Sequence, residues 1–287
     1  MVEYVLGNYF VEAGRITKEQ LKQIIEKQDS VRVKLGLIAV SEGLMTQEQA
    51  DEVNLLQAIK DKRFGDIAIE EGYLNQEQVD KLLQKQGNAY LVFIQELLNE
   101  ELVTMEELEW LLDDFKRVNN FSNTDFEDIK SDDIDRVLPF ILPKEAMVYK
   151  ELIGTVIRTM IRLVDRHIYV GKAAMVDELP KDAAVFQKMV GNNGLMGCFA
   201  ERNGALLKVS TIFGQETFTQ LDMNALDAAG ELLNCSSGLY VSELSQQGQF
   251  LDLMPPEYKG VENVDDICRI PIYLGNLGLY FAVGKLK

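Results

Sequence analysis

The chain has 287 residues, 47% apolar and 26% charged, with a formal net charge of −17. That length suffices for two domains with separate cores, and so acidic a balance argues against a broad nucleic-acid or anionic-membrane surface. No apolar run approaches the roughly 18–20 residues that cross a bilayer, and the three scattered cysteines, Cys198, Cys235 and Cys268, make neither a CxxC nor a metal spacing. They read as reduced thiols, with no metal site expected. The single histidine, His167, leaves little for a His-based metal site or triad. In "VDRHIYVGK" it reads as a boundary residue just before a strand. The first twenty residues, "MVEYVLGNYFVEAGRITKEQ", lack the basic and apolar regions of a signal peptide, so a cytoplasmic protein is expected.

The first half repeats. "LGNYFVEAGRITKEQL", "LGLIAVSEGLMTQEQA", "FGDIAIEEGYLNQEQV" and "FIQELLNEELVTMEEL" align without a gap. Gly7, Gly36 and Gly65 recur every 29 residues, with Ile94 in the fourth place; Gly14, Gly43 and Gly72 follow seven later, with Glu101 in the fourth. This period predicts an array of helical hairpins over 1–116. In each unit a short helix ends near the second glycine, which supplies the left-handed C′ conformation. A capping box then starts a second helix: Thr17/Gln20, Thr46/Gln49, Asn75/Gln78 and Thr104/Glu107. The second helices are expected to close at Gln28, Gln57, Gln86 and Phe115.

Two copies, "KLGLIAVSEGLMTQEQADEVNLLQ" and "RFGDIAIEEGYLNQEQVDKLLQKQ", resemble the tandem 24-residue motifs at the N-termini of type II secretion and pilus-extension ATPases of the MshE type. In those proteins the domain binds cyclic di-GMP. The resemblance implies a nucleotide site with Lys34 and Arg63 in the basic place, Gly36 and Gly65 in the glycine place, and Gln57 and Gln86 in the closing place. Basic side chains beside backbone N–H groups suit a diphosphate ring. A helical scaffold that keeps the glycines only for its turns is the other reading.

Residues 117–144 are acidic and carry Pro139 and Pro143, which predicts a linker or short helix between the domains. From 145 to 287 the periods mix. "EAMVYKELIGTVIRTMIRLV" reads as a long helix; "HIYVGKAAMV", "AAVFQKMVG" and "LMGCFAERNGALLKVS" read as strands, the last with a hairpin turn at Arg202-Asn203-Gly204. A second long helix spans about 222–244. "FLDLM", "DICRIPIYL" and "LGLYFAVGKL" are strands, the last two joined around Gly275-Asn276. Two long helices on a mostly antiparallel sheet make an α+β domain.

The second long helix is poorly built as a helix, because Gly230, Ser236, Ser237 and Gly238 interrupt it. Leu226, Gly230, Leu233, Ser237, Tyr240 and Leu244 form one stripe; Asp227, Glu231, Asn234 and Gly238 form another, one position over. A carboxylate and an amide therefore project from one side, among small residues that leave the backbone open to close approach by another surface. The tetrapeptide Glu-Leu-Leu-Asn also occurs at 96–99, with Val92, Gln95 and Val103 where Asp227, Gly230 and Gly238 stand, so the bare motif carries little information.

With its surroundings, the pattern Asp227, Glu231, Asn234, Gly238 and Pro255-Pro256 resembles the CheX/CheC family of chemotaxis phosphatases, over roughly 145–287. The resemblance implies a CheX-like phosphatase domain acting on the aspartyl phosphate of a CheY-like receiver. Asn234 would orient the attacking water, Glu231 would pair with a receiver lysine, and Asp227, Gly230 and Gly238 would support them. It implies no cofactor of the chain's own, the Mg2+ being the receiver's. CheC-like members carry a second motif on the first long helix; here that place reads Glu151-Leu-Ile-Gly154, with Met147 ahead and Arg158 behind, so the amide is missing. One active helix per chain is the CheX-like arrangement, which implies a homodimer. The other reading is a module that binds a receiver or another partner without hydrolysis. In a third, compatible with both, the repeats gate the second domain through a nucleotide.

Overall fold

The computed structural model describes residues 2–27, 33–60, 62–131, 133–180, 183–258 and 264–287. The chain divides into two compact units, 2–132 and 133–287. The first holds α1 (Val2–Glu12), α2 (Lys18–Lys27), α3 (Leu35–Ser41), α4 (Gln47–Lys60), α5 (Phe64–Glu70), α6 (Gln76–Gln84), α7 (Ala89–Asn99), α8 (Met105–Asn119) and α9 (Asn123–Lys130). Each of the capping boxes at Thr17, Thr46, Asn75 and Thr104 is reciprocal: the cap oxygen accepts the third residue's N–H, and that residue's side chain accepts the cap's N–H. Gly14, Gly43 and Gly72 have φ of +69°, +65° and +79°, and Glu101 takes the same left-handed conformation at φ +53° without being glycine.

The preceding glycines serve packing rather than turns. A Cβ on Gly36 would stand 3.0 Å from Phe64 Cε2, and one on Gly65 would stand 2.9 Å from Val79 Cγ1, so both mark close helix–helix approaches. The second helices close later or earlier than expected. α4 runs past Gln57 to Lys60, α8 runs past Phe115 to Asn119, and Gln86 lies beyond the end of α6. Gln28 lies outside the described residues.

Of the two forms expected for 117–144, linker or short helix, the segment takes the helical one, and the division between the units falls within it. It contains the end of α8, all of α9 and α10 (Ile134–Ile141), and α10 carries Pro139 within it. A reciprocal capping box at Ser122/Asp125 starts α9, and Asp133 caps α10. The buried stripe Ile134, Val137, Leu138 and Ile141 holds α10 against the core of the second unit, and tertiary packing of an amphipathic face outweighs the one backbone bond that proline removes.

The second unit continues with a 3-10 helix (Lys144–Tyr149), α11 (Lys150–Leu163), β1 (Tyr169–Val170), β2 (Ala174–Val176), β3 (Ala183–Gly191), β4 (Leu195–Glu201), α12 (Ala205–Gly214), α13 (Met223–Gln246), β5 (Leu251–Leu253), β6 (Val264–Leu274) and β7 (Leu277–Leu286). The antiparallel sheet runs β1-β6-β7-β4-β3-β5, with β2 also on β6. It is a mixed α and β unit whose core joins Ile153 and Ile157 of α11, Leu233 of α13, and Phe199 and Phe281 of the sheet.

The expected hairpin at Arg202-Asn203-Gly204 is instead the start of a helix. The Glu201 carboxylate accepts the N–H groups of Arg202, Gly204 and Leu206, and Gly204 has φ +91°. This satisfies donors that a helix start leaves open. Ala205, Leu206, Val209 and Ser210 are buried, a helical rather than an alternating spacing. The β6–β7 hairpin forms at Gly275-Asn276 as expected, with Gly275 at φ +61°.

Candidate functional site

The helix α13 starts at the cap Asp222, whose carboxylate accepts from the N–H groups of Asn224 and Ala225. Its two stripes separate cleanly. Leu226, Gly230, Leu233, Ser237 and Tyr240 are buried and Leu244, near the helix end, is half-buried, while Asp227 and Glu231 are exposed and Asn234 and Gly238 are half-buried. The small residues are used from within. Ser236 donates its hydroxyl to the Leu232 carbonyl at 2.9 Å. At Gly230 the close approach is made by this chain's own segment after β5: an added Cβ would lie 2.8 Å from the Tyr258 hydroxyl and 3.3 Å from Pro256 Cβ. The expectation that Gly230 leaves room for another molecule is therefore corrected. Gly238 remains open, with Leu253 Cδ2 at 3.7 Å its nearest neighbour.

Two residues missed in the sequence complete the site. Tyr258 donates its hydroxyl to Asp227 Oδ1 at 2.7 Å. Burial first, then this bond to a carboxylate, pushes its pKa up to about 12. From below the helix, Gln187 of β3 donates through Nε2 to Asn234 Oδ1 and to the Met254 carbonyl, both at 2.8 Å. Asn234 Nδ2 faces Glu231 Oε2 at 3.4 Å. The signal for Gln187 was a polar residue in phase with Val185 and Met189, both fully buried. Tyr258 offered none.

The second Glu-Leu-Leu-Asn shows what the motif does without these surroundings. On α7, Asn99 donates through Nδ2 to Glu96 at 2.8 Å and accepts through Oδ1 from Gln95 at 2.9 Å, but Glu96 is only 5% exposed. The carboxylate of Glu231, by contrast, is open to solvent. The corresponding place on α11 is closed: a Cβ at Gly154 would stand 2.9 Å from Asp135 Oδ1, and Arg158 pairs with that same Asp135 of α10.

In the first unit, Lys34, Gln57, Arg63, Gly65 and Gln86 line one groove of about 980 Å³. Gly36 faces Phe64 and is absent from that lining. Gln86 donates to the Val33 carbonyl at 2.8 Å and Gln57 to the Lys62 carbonyl at 3.4 Å. Asp66 also lines the groove.

Among the described residues no cluster of three His, Cys, Asp or Glu side chains is placed to hold a metal, and no helix is long and apolar enough to cross a membrane. No protein-family model matches the chain. The chain is 30% identical over 116 residues to the protein named CheY-P phosphatase CheX of Thermotoga maritima, covering 39% of this chain and 74% of that one. Among solved structures, a CheC-like superfamily protein from Shewanella sp. PV-4 superposes with a TM-score of 0.42 at 16% identity, over 50% of this chain and 99% of that chain. A CheX–CheY–BeF3–Mg2+ complex from Borrelia burgdorferi gives 0.41 at 14% identity, over 48% and 97%.

Proposed function

The chain belongs to the CheX family of chemotaxis phosphatases, and from that premise we propose that its second unit hydrolyses the aspartyl phosphate of a CheY-like receiver domain. The observation that carries this reading is the outward pair on α13: an exposed carboxylate, Glu231, beside an amide, Asn234, that is held from beneath. An acyl phosphate reacts through a loose, in-line transition state, so positioning supplies most of the catalysis. Asn234 orients the attacking water, and Glu231 pairs with a lysine of the receiver and fixes the docked register. Asp227, tied to Tyr258, and the glycines Gly230 and Gly238 keep the helix face in shape. The Mg2+ of the reaction belongs to the receiver. We place the protein in the cytoplasm, acting as a homodimer through this unit, as its family resemblance implies.

The test is release of phosphate from an acetyl-phosphate-charged CheY-like receiver, with wild type beside Asn234→Ala and Glu231→Ala. Acceleration by wild type that both variants lose supports the assignment. An unchanged phosphoaspartate lifetime over a panel of receivers refutes hydrolysis; receiver binding without turnover would make the unit a recognition module.

A second reading concerns the first unit: its groove binds cyclic di-GMP and regulates the phosphatase. What favours it is that five residues predicted from two consecutive repeats, Lys34, Gln57, Arg63, Gly65 and Gln86, line the same groove. Arg63 is exposed, and a guanidinium suits a phosphate geometrically. The groove's volume lies at the upper end of the usual range for small-molecule sites, about 300–1,000 Å³.

A further inference from the structure

We propose that Gln187 is a positioning residue that sets which end of the Asn234 amide meets the receiver. The proposal rests on the reading of Asn234 as the group that orients water. Gln187 lies in β3 between Val185 and Met189, on the face that α13 covers, and is 1% exposed. Burying an amide costs free energy unless its polar atoms are paired. Here Nε2 makes two bonds while Oε1 has no partner. As a stabiliser of the core this is poor chemistry. What only an amide supplies here is a forked donor.

The fork dictates the orientation of the whole relay. The Met254 carbonyl can only accept, so it must face Nε2 of Gln187. The other Nε2 hydrogen needs an acceptor, so Asn234 must present Oδ1 to it. Nδ2 of Asn234 is thereby turned outward, toward Glu231. A bound water would receive a hydrogen bond through its oxygen from this N–H donor, which fixes where that oxygen sits relative to the phosphorus.

The prolines create the acceptor at the bottom of the relay. Edge pairing along β3 continues to Met254, whose N–H donates to the Lys188 carbonyl, and resumes at Glu257, which exchanges both bonds with Phe186. Pro255 and Pro256 between them have no N–H to offer. The Met254 carbonyl takes the Gln187 side chain at this break.

The test compares wild type with Gln187→Leu and Gln187→Glu, both near the glutamine in size. Leucine removes the fork. Glutamate offers one O–H donor when burial keeps it protonated and none when ionised, so neither form makes the two-donor fork. With a charged CheY-like receiver in excess, both variants should lose on the order of 10²-fold in kcat while the half-saturating receiver concentration stays within about twofold. The spectroscopic arm is the Asn234 side-chain 1H–15N pair, identified by its loss in Asn234→Ala. In Gln187→Leu it should move to the position of a solvent-exposed amide while the backbone spectrum keeps its dispersion. An unchanged kcat in an active enzyme, or an unmoved amide pair, overturns the proposal. If wild type itself has no phosphatase activity, the phosphatase reading fails and the amide pair still decides whether Gln187 orients Asn234.

Discussion

The Tyr258 hydroxyl donates to Asp227 at 2.7 Å, and its ring lies over Gly230, the residue just before Glu231 on the same helix. A Cβ at Gly230 would come within 2.9 Å of both Tyr258 Oη and Cε1. Overpacking of this kind costs about 1–3 kcal/mol, against about 1 kcal/mol gained by replacing a helical glycine with alanine. Gly230→Ala should therefore be destabilising by about 1 kcal/mol, because ring atoms cannot swing clear without moving the chain. Gly238→Ala is the control: its Cβ meets only Leu253 Cδ2 at 3.7 Å. That variant should be stabilised by about 0.5–1 kcal/mol. Urea unfolding of the two, followed by a probe in the second unit, decides whether Gly230 is a packing glycine.

The same contact predicts a pH dependence. Folding raises the Tyr258 pKa from 10.0 to about 12, through burial first and the Asp227 bond second. The raised value means that the folded state holds its proton more tightly. The contribution is fully present below pH 10 and is lost as pH rises toward 12. Wild type should lose more stability across that window than Tyr258→Phe, which has no proton to release. Denaturation midpoints at pH 9 and 11.5 measure the difference; parallel losses would show that Tyr258 is not involved.

What was legible in the sequence follows from which signals are local. Capping boxes and left-handed glycines lie within four residues of what they control, and in the first unit helices start at the four boxes and the backbone turns left-handed at Gly14, Gly43 and Gly72. The polar stripe on α13 was readable from helical spacing alone. The hairpin at 202–204 failed because Arg-Asn-Gly is a turn signal whichever element follows, and Glu201, which caps the next helix, precedes it. Pro139 misled because the burial that holds α10 together is tertiary. Gln187 and Tyr258 reach the site from 47 and 31 residues away, and no local pattern encodes that.

Glu231 and Asn234 should fail in different ways. Glu231 is exposed and touches the site only through the 3.4 Å contact to Asn234. Losing a docking charge at a rim weakens association more than chemistry. Glu231→Ala should raise the half-saturating receiver concentration, with an effect that shrinks at high salt. Asn234→Ala should lower kcat at saturating receiver with little salt dependence. Steady-state kinetics at two ionic strengths separate the roles, and identical profiles for the two variants would contradict them.

The fourth hairpin carries a correctable strain. Glu101 holds φ +53° at the place where Gly14, Gly43 and Gly72 hold +65° to +79°. A left-handed residue with a Cβ costs roughly 1–2 kcal/mol, and glycine returns about 0.4–1 kcal/mol of that through the freer unfolded chain. Glu101→Gly should thus stabilise α7 and α8 by about 0.5–1 kcal/mol. Gly43→Ala should do the reverse in the second hairpin, since space around Gly43 is open and only its conformation objects. Native-state hydrogen exchange of the amides in each hairpin reads both changes in the full-length chain.

The groove of the first unit makes the final prediction. Its candidate ligand contacts come from positions one repeat apart, Lys34 with Arg63 and Gln57 with Gln86, so a two-fold-repetitive anion such as cyclic di-GMP would meet similar groups at both ends. Arg63 should matter most, because a guanidinium can bind phosphate through two bonds whereas Lys34 offers a point charge. Calorimetry on the full chain should show binding that Arg63→Ala weakens by at least about tenfold, the loss of one charge-assisted contact of roughly 1.5–3 kcal/mol. Lys34→Ala should weaken it less. The Asp66 carboxylate in the same lining opposes an anion, so Asp66→Asn should tighten binding. Heat signals absent from wild type, or unaffected by all three variants, would leave the groove a product of helix packing and the first unit a scaffold.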